Sequence, residues 1–318
     1  MQSSRHAQSS SSASMQRRGG GRTPSSHQFS RLKPVEIDPL SEYGLPSKGE
    51  KRLLSPKVQE SYYSKIAERY LALCTDAGDR ESLQKQFARL DISSSIPSSP
   101  LPSPAGSTFS SSELPSLSSS SDISQILSAL RKLREAIVAS KRRDAFSAQV
   151  YLFAIRCGIL ASSYETYYPA LLYLLRSIHP VHNLTSVELH EIVSYLILDT
   201  ACRRGDLASA YALRNKHKLK DAKVDGVLKA LTGDNWFLWR RVKRGVDGYR
   251  AKIMDFSEGD IKGQTLRALG RAYMTVPLGY LEGATGEPWN VLRDKYKVGW
   301  ELGADGKVVI RRVQARTG

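Results

Sequence analysis

The chain has few of the residues that build extracellular frameworks and membrane spans. Of its 318 residues only three are cysteine, Cys74, Cys157 and Cys202, each in an apolar helical setting and none in C-x-x-C spacing. That argues against a disulfide framework or a zinc site and suits a reducing compartment. No apolar run approaches the roughly 20 residues a membrane helix needs, and no signal-peptide core stands at the N-terminus. The expectation is a soluble intracellular protein without a membrane partner. Acids are scarce too. None occurs before Glu36, and overall 31 acids face 47 lysines and arginines, a net charge of +16. An excess of that sign asks for an acidic protein or a nucleic acid, without saying which.

Catalytic signatures are missing as well. The sequence contains no G-x-S-x-G, P-loop, G-x-G-x-x-G, H-E-x-x-H or EF-hand pattern. Gly19-Gly20-Gly21 has no strand before it and no Lys-Ser/Thr after it, so it does not cradle phosphate. His179, His182 and His190 lie close in sequence, but no helix places all three on one face with an acid. They read as loop and solvent-facing histidines rather than metal ligands. The expectation is no enzyme, no cofactor and no metal.

What is present is organised around Ser186 to Arg203. Leu189, Ile192, Val193, Leu196, Ile197 and Ala201 recur at helical spacing, and Val187, Tyr195, Leu198 and Cys202 cover the remaining sides. A helix apolar nearly all round belongs in the middle of a helical array. Burying about eight such side chains at roughly 1.5–3 kcal/mol each contributes more than about 10 kcal/mol before entropy. Thr185 and Glu188 have capping-box spacing, Gly205 stands where a left-handed residue ends a helix, and Asp199 and Arg203 are spaced as a partly buried structural ion pair.

Either side of this helix, composition divides the chain. Residues 1–54 read as a disordered, basic Ser/Arg/Gly-rich tail, whose Arg17 to Arg22 run resembles an RGG-type patch. Residues 55–92 form a short helical segment: Ser55-Pro56 opens a helix carrying Val58, Tyr62, Ile66, Tyr70 and Leu73, and a second spans 80–90. Residues 93–121, rich in serine and proline, read as a disordered linker. From 122 to 257 an antiparallel helical array is expected. Its helices begin with one capped by Ser121 and continue over 145–160, 167–178, the central helix, 207–216 and 223–231. The last of them, 236–256, is weakened at Gly245 and Gly248 and carries Arg240, Arg241, Lys243, Arg244, Arg250 and Lys252 around an apolar stripe. That basic face reads first as a solvated or protein-docking surface and second as a nucleic-acid contact.

Residues 258–318 change character. A helix over 261–273, with Leu266, Leu269 and Tyr273 inward, precedes short helices opened by Pro277 and Pro288. Val298–Leu302, the turn Gly303 to Gly306 and Val308–Val313 then read as a β-hairpin. Three helices and a hairpin predict a winged helix. Val308, Val309 and Ile310 form an apolar strand edge, with Arg311 and Arg312 at one end, on which a partner's strand would add.

A helical array closed by a winged helix is the PCI architecture. Leu127 to Val138 (LSALRKLREAIV), Val150 to Phe153 (VYLF), Pro169 to Leu175 (PALLYLL) and Ile197 to Leu207 (ILDTACRRGDL) resemble the small-subunit PCI family. That family groups signalosome subunit eight, the non-ATPase lid subunit eight of the proteasome, and subunit k of translation initiation factor three. The resemblance covers about Asp122 to Val313. It implies a mainly α, TPR-like array with a winged helix. It also implies a non-catalytic scaffold subunit of the cytoplasm and nucleus, whose partners are other PCI-type subunits. The long tail, the linker and the basicity depart from the family pattern and leave a second expectation, an RNA- or DNA-binding adaptor in mRNA processing or export.

Overall fold

The computed structural model describes residues 38–77 and 114–311. The helix expected over 80–90 lies outside them, as do most of the tail and the first part of the linker. The protein is mainly helical, with one small antiparallel sheet near its C-terminal end. No described helix is long and apolar enough to cross a membrane.

Helix α1 runs from Pro56 to Ala77 and α2 from Leu114 to Ala139. Two expectations are corrected here. Residues 38–54, read as tail, are ordered: Leu40 and Leu53 are buried, and the Leu40 carbonyl accepts hydrogen bonds from Tyr62 Oη (2.8 Å) and Lys132 Nζ (3.2 Å). Two of its four leucines, with Tyr43 packed beside them, suffice because α1 and α2 together offer a surface to cover. The linker also ends early, since α2 begins at Leu114 rather than Asp122. Once a helix is nucleated by packing, each further residue adds one hydrogen bond, and a proline in the first turn loses none.

Helix α1 docks on the array. Tyr63 meets Phe146 and Phe153 edge-on, Arg69 pairs with Asp122, and Arg142 bridges Glu60 and Asp144. Helix α3 (Ala145–Leu160) is capped by Asp144, and α4 (Tyr164–Tyr173) follows after a tight turn. A Cβ on Gly158 would stand 2.9 Å from Tyr167 Cβ and 3.1 Å from its backbone nitrogen, so only glycine lets α3 and α4 approach this closely. The helix expected over 167–178 starts earlier and does not stay α-helical. Leu174–Ile178 is one wider π turn, closed by His179 N–H on the Leu174 carbonyl at 2.9 Å.

Helix α5 (Ser186–Cys202) is the centre of the molecule. The Thr185–Glu188 capping box forms, and every residue from Ile192 to Cys202 is buried. Gly205 takes φ 67° beyond its end. Val187, expected on a covered side, is instead exposed. Helix α6 (Leu207–Lys216), α7 (Ala222–Thr232), α8 (Trp236–Gly245) and α9 (Gly248–Met254) complete the array, and α5 touches α4, α6, α7 and α9. The single helix expected over 236–256 is therefore two. Val246 is extended (ψ 165°), and Asp247 caps α9 by accepting from Tyr249 N and Arg250 N. An Asx cap between two glycines competes with helix continuation and prevails.

One core cluster reaches from Leu40 to Ile261, and a second, smaller one holds Leu266, Leu269, Val276, Leu281, Ala284, Leu292 and Val308. The second belongs to α10 (Glu258–Ala272), β1 (Thr275–Pro277), α11 (Leu278–Thr285), α12 (Trp289–Asp294), β2 (Glu301–Leu302) and β3 (Lys307–Val309). Trp300 leans on this core, but Tyr273 is 42% exposed rather than inward. The helix ends at Ala272, and Tyr273 is already extended, which turns its ring outward.

The hairpin is shorter than expected, and its strand order is β1-β3-β2. Val308 faces Val276 on one side and Leu302 on the other. The Val308–Ile310 run is thus no free edge but the middle of a sheet. Strand β1 was hidden because three residues ending in proline carry no strand signature of their own.

Candidate interaction surface

Helix α8 is set by a buried tryptophan pair. The Asn235 side chain caps it, and the Trp236 and Trp239 rings stack at 5.0 Å beneath. Trp239 Nε1 donates to Ser257 Oγ at 3.2 Å, while Trp236 Nε1 is buried with no acceptor among the described residues. With that face committed to the core, the basic residues fan out over the remainder. They do not behave alike.

Lys243 turns inward. Its ammonium lies over the Trp239 ring and bridges Asp255 (2.5 Å) and Glu258 (2.6 Å). Glu258 also holds Lys262, a nearly buried lysine that reaches Glu287 and sits over Trp236. Burial alone would raise the Glu258 carboxyl, but hydrogen bonds from both lysines outweigh it and hold the group below its ordinary range. Burial likewise opposes the Lys262 charge and is overcome by Glu258 and Glu287, so its ammonium is held above the ordinary range. Arg250 is also structural. It pairs with Asp221 at 2.9 Å and Asp247 at 3.3 Å, and donates to Ser194 Oγ. Asp221 in turn caps α7.

Arg240 reaches across to the C-terminal subdomain, donating from Nη1 to the Gly283 carbonyl at 3.1 Å, with Gly286 against its guanidinium. Lys252 is half-buried. Only Arg241 and Arg244 face fully outward. Arg241 has no hydrogen-bond or ion-pair partner among the described residues, and Arg244 makes one long bond, to the Arg240 carbonyl at 3.4 Å. Phe237, 60% exposed, stands one turn before Arg241. Phe237, Arg241 and Arg244 thus make an outward strip at helical spacing. The sequence reading missed Phe237 because it counted charges, although its i, i+4 spacing to Arg241 was visible.

A cleft of about 360 Å³ separates α8 from the C-terminal subdomain, lined by both tryptophans, Arg240, Lys243 and Lys262. Lys243, Glu258 and Lys262 are locked in ion pairs there, Arg240 and Arg244 bond backbone carbonyls, and no nucleophile lines it. Among the described residues no group of His, Cys, Asp or Glu could hold a metal ion.

The expected contacts on the hairpin divide as well. Val308 is fully buried, so it cannot touch a partner, and Val309 is bonded between two strands. Arg311 is exposed and donates to the Arg271 carbonyl, while Arg312 lies outside the described residues. The open edges of the sheet are β1 and β2. Around β1 stand exposed Tyr273, Met274 and Tyr280, with the two tyrosine rings 6.3 Å apart. No protein-family model and no curated protein matches the chain.

Proposed function

We propose that this chain is a non-catalytic subunit that docks into a multi-protein assembly through its C-terminal subdomain, on the plan of the small PCI subunits. The observation that carries the reading is the β1 edge. Strand β1 pairs with β3 on one side only, and its open side stands beside exposed Tyr273, Met274 and Tyr280 on a subdomain with its own core. Exposed aromatics beside an open strand suit β-augmentation, in which main-chain bonds give affinity and flanking side chains give specificity. The order α10, β1, α11, α12, β2, β3 suits the winged-helix reading, and a helical array before it supports the PCI reading. Such a subunit works in cytoplasm and nucleus, with other PCI-type subunits as partners. The test is native mass spectrometry of the chain purified gently from its own cells. The wild type should appear in a large heteromeric assembly, and a Tyr273→Glu/Tyr280→Glu variant as a free subunit. Unchanged assembly of the variant refutes the reading.

A second reading, an RNA- or DNA-binding adaptor, is favoured by the exposed Arg271 and Arg311 beside the same tyrosines. Arginines next to stackable rings suit single strands. It requires affinity that falls steeply with salt, which protein docking at an apolar edge does not show.

A further inference from the structure

A groove of about 560 Å³ lies on the array, and no residue of the C-terminal subdomain lines it. Its floor is α5, and its walls are α6 on one side and α4 with the π turn on the other. Leu172, Leu175, Leu196 and Leu213 line it, and Arg176, Arg204 and Lys216 ring it. No carboxylate lines it.

We propose that this groove binds an acidic, apolar-faced helical segment of a partner protein. The charge is unspent. Arg176 and Lys216 have no hydrogen-bond or ion-pair partner among the described residues, and Arg204 makes one long contact of 3.4 Å to Tyr168 Oη and a weak through-space attraction to Asp206, with no ion pair. Arginines close by on the array are bonded to acids, as Arg156 is to Glu191 and Arg214 to Asp225, and among the cations left without one these three share a row of leucines. Three cations beside leucines, with no acid among them, therefore form a set whose complement is absent. At the end of the groove the His217 imidazole is held below its ordinary range, by desolvation first and then by Lys216 and His179.

The apolar floor selects the occupant. A helix laid between two helices presents side chains at i, i+3, i+4 and i+7 to such a floor and leaves its polar face for the rim. Nucleic acid fits less well, because the floor is leucine and only Tyr168 and His217 bring rings to the lining, whereas stacking platforms need successive aromatic faces. The chain's own N-terminus carries no acid before Glu36, and a second copy of a chain with net charge +16 brings the wrong sign. The π turn is what sets the wall, since a wider turn displaces Leu175 and Arg176 from the positions an α-helix would give them.

The probe is a labelled synthetic helix with leucine at i, i+3, i+4 and i+7 and glutamate elsewhere, titrated against the full chain by fluorescence anisotropy. A matched peptide with lysine for glutamate and a single-stranded oligonucleotide serve as competitors. The acidic peptide should bind, the lysine peptide should not, and Arg176→Glu/Lys216→Glu should weaken binding about tenfold or more by reversing rim charges. Both residues are exposed and unpartnered, so the urea midpoint should stay unchanged. Ala212→Trp, which fills the groove without altering charge, should weaken binding independently. The Tyr273→Glu/Tyr280→Glu variant should bind the peptide normally, which separates this site from the C-terminal edge. The proposal is overturned if the acidic peptide does not bind or binds the variants equally. It is also overturned if the lysine peptide binds as well, or if the oligonucleotide displaces the acidic peptide and its own binding is lost in the variants.

Discussion

Replacing Asp199 tests how the central helix is held. Its carboxylate is wholly buried and accepts three hydrogen bonds: from Tyr167 Oη at 2.5 Å, Arg203 Nε at 2.7 Å and Arg203 Nη2 at 2.8 Å. Arg203 lies between the Tyr164 and Tyr168 rings with its side chain 20% exposed. Asp199→Ala strands a guanidinium and a phenol together. Removing one partner of a buried pair costs about 3–5 kcal/mol. Arg203 has some access to water, which favours the lower end, and the orphaned Tyr167 hydroxyl adds about 1 kcal/mol. The sum is about 4 kcal/mol, which at about 2–4 °C per kcal/mol for a domain of this size lowers Tm by roughly 8–16 °C.

Tyr167→Phe should cost less, about 1.5–3 kcal/mol, because Asp199 keeps Arg203. The double variant should cost little more than Asp199→Ala, since both changes delete one shared bond. Urea denaturation followed by far-UV circular dichroism measures all three. If Asp199→Ala costs under about 1 kcal/mol, or the two changes simply add, the triad does not hold α5 to α4 and the reasoning fails.

Burial alone would raise the Glu191 carboxyl, but Arg156 and Tyr195 outweigh it and hold it below its ordinary range. Its contribution is therefore complete above the unfolded value of about 4.3 and lost as pH falls through the lower folded value. Thermal melts from neutral to acid pH should show Glu191→Gln losing less stability on acidification than wild type. Gly158→Ala should destabilise by about 1–2 kcal/mol, as overpacking against Tyr167 outweighs the gain in helix propensity. A neutral or stabilising result in urea denaturation would show that α3 and α4 can move apart. Cys157 and Cys202 are buried, and burial pushes the Cys202 thiol up to about 12. Ellman's reagent should therefore titrate Cys74 in the native chain and the other two thiols only after denaturation. Arg241→Glu/Arg244→Glu should leave the urea midpoint within about 0.5 kcal/mol, whereas Lys243→Ala should lower it, because only Lys243 closes a bridge to Asp255 and Glu258.

The local sequence determined the central helix outright. Periodicity, the Thr185–Glu188 box and Gly205 all act within a turn or two of the chain, and their spacing specifies the structure without knowledge of neighbours. The same holds for the Asp199–Arg203 pair, whose two members are joined by one helical turn. The fate of the basic residues was not local. Arg241 and Lys243 stand two apart on one helix, yet one meets solvent and the other two carboxylates from the following elements. Nor could the sheet be read strand by strand. Val308, Val309 and Ile310 have the composition of an edge or a centre equally, and only the arrival of Thr275–Pro277 from more than thirty residues away makes β3 central. The cationic groove has the same origin: Arg176, Arg204 and Lys216 come from three separate segments, and no spacing along the chain announces that packing will gather them around one row of leucines. Helices are closed by contacts three and four residues apart, so their signals survive in one dimension. Pairing across strands and the sign of a surface depend on which distant segments pack together, and that is decided only when the core closes.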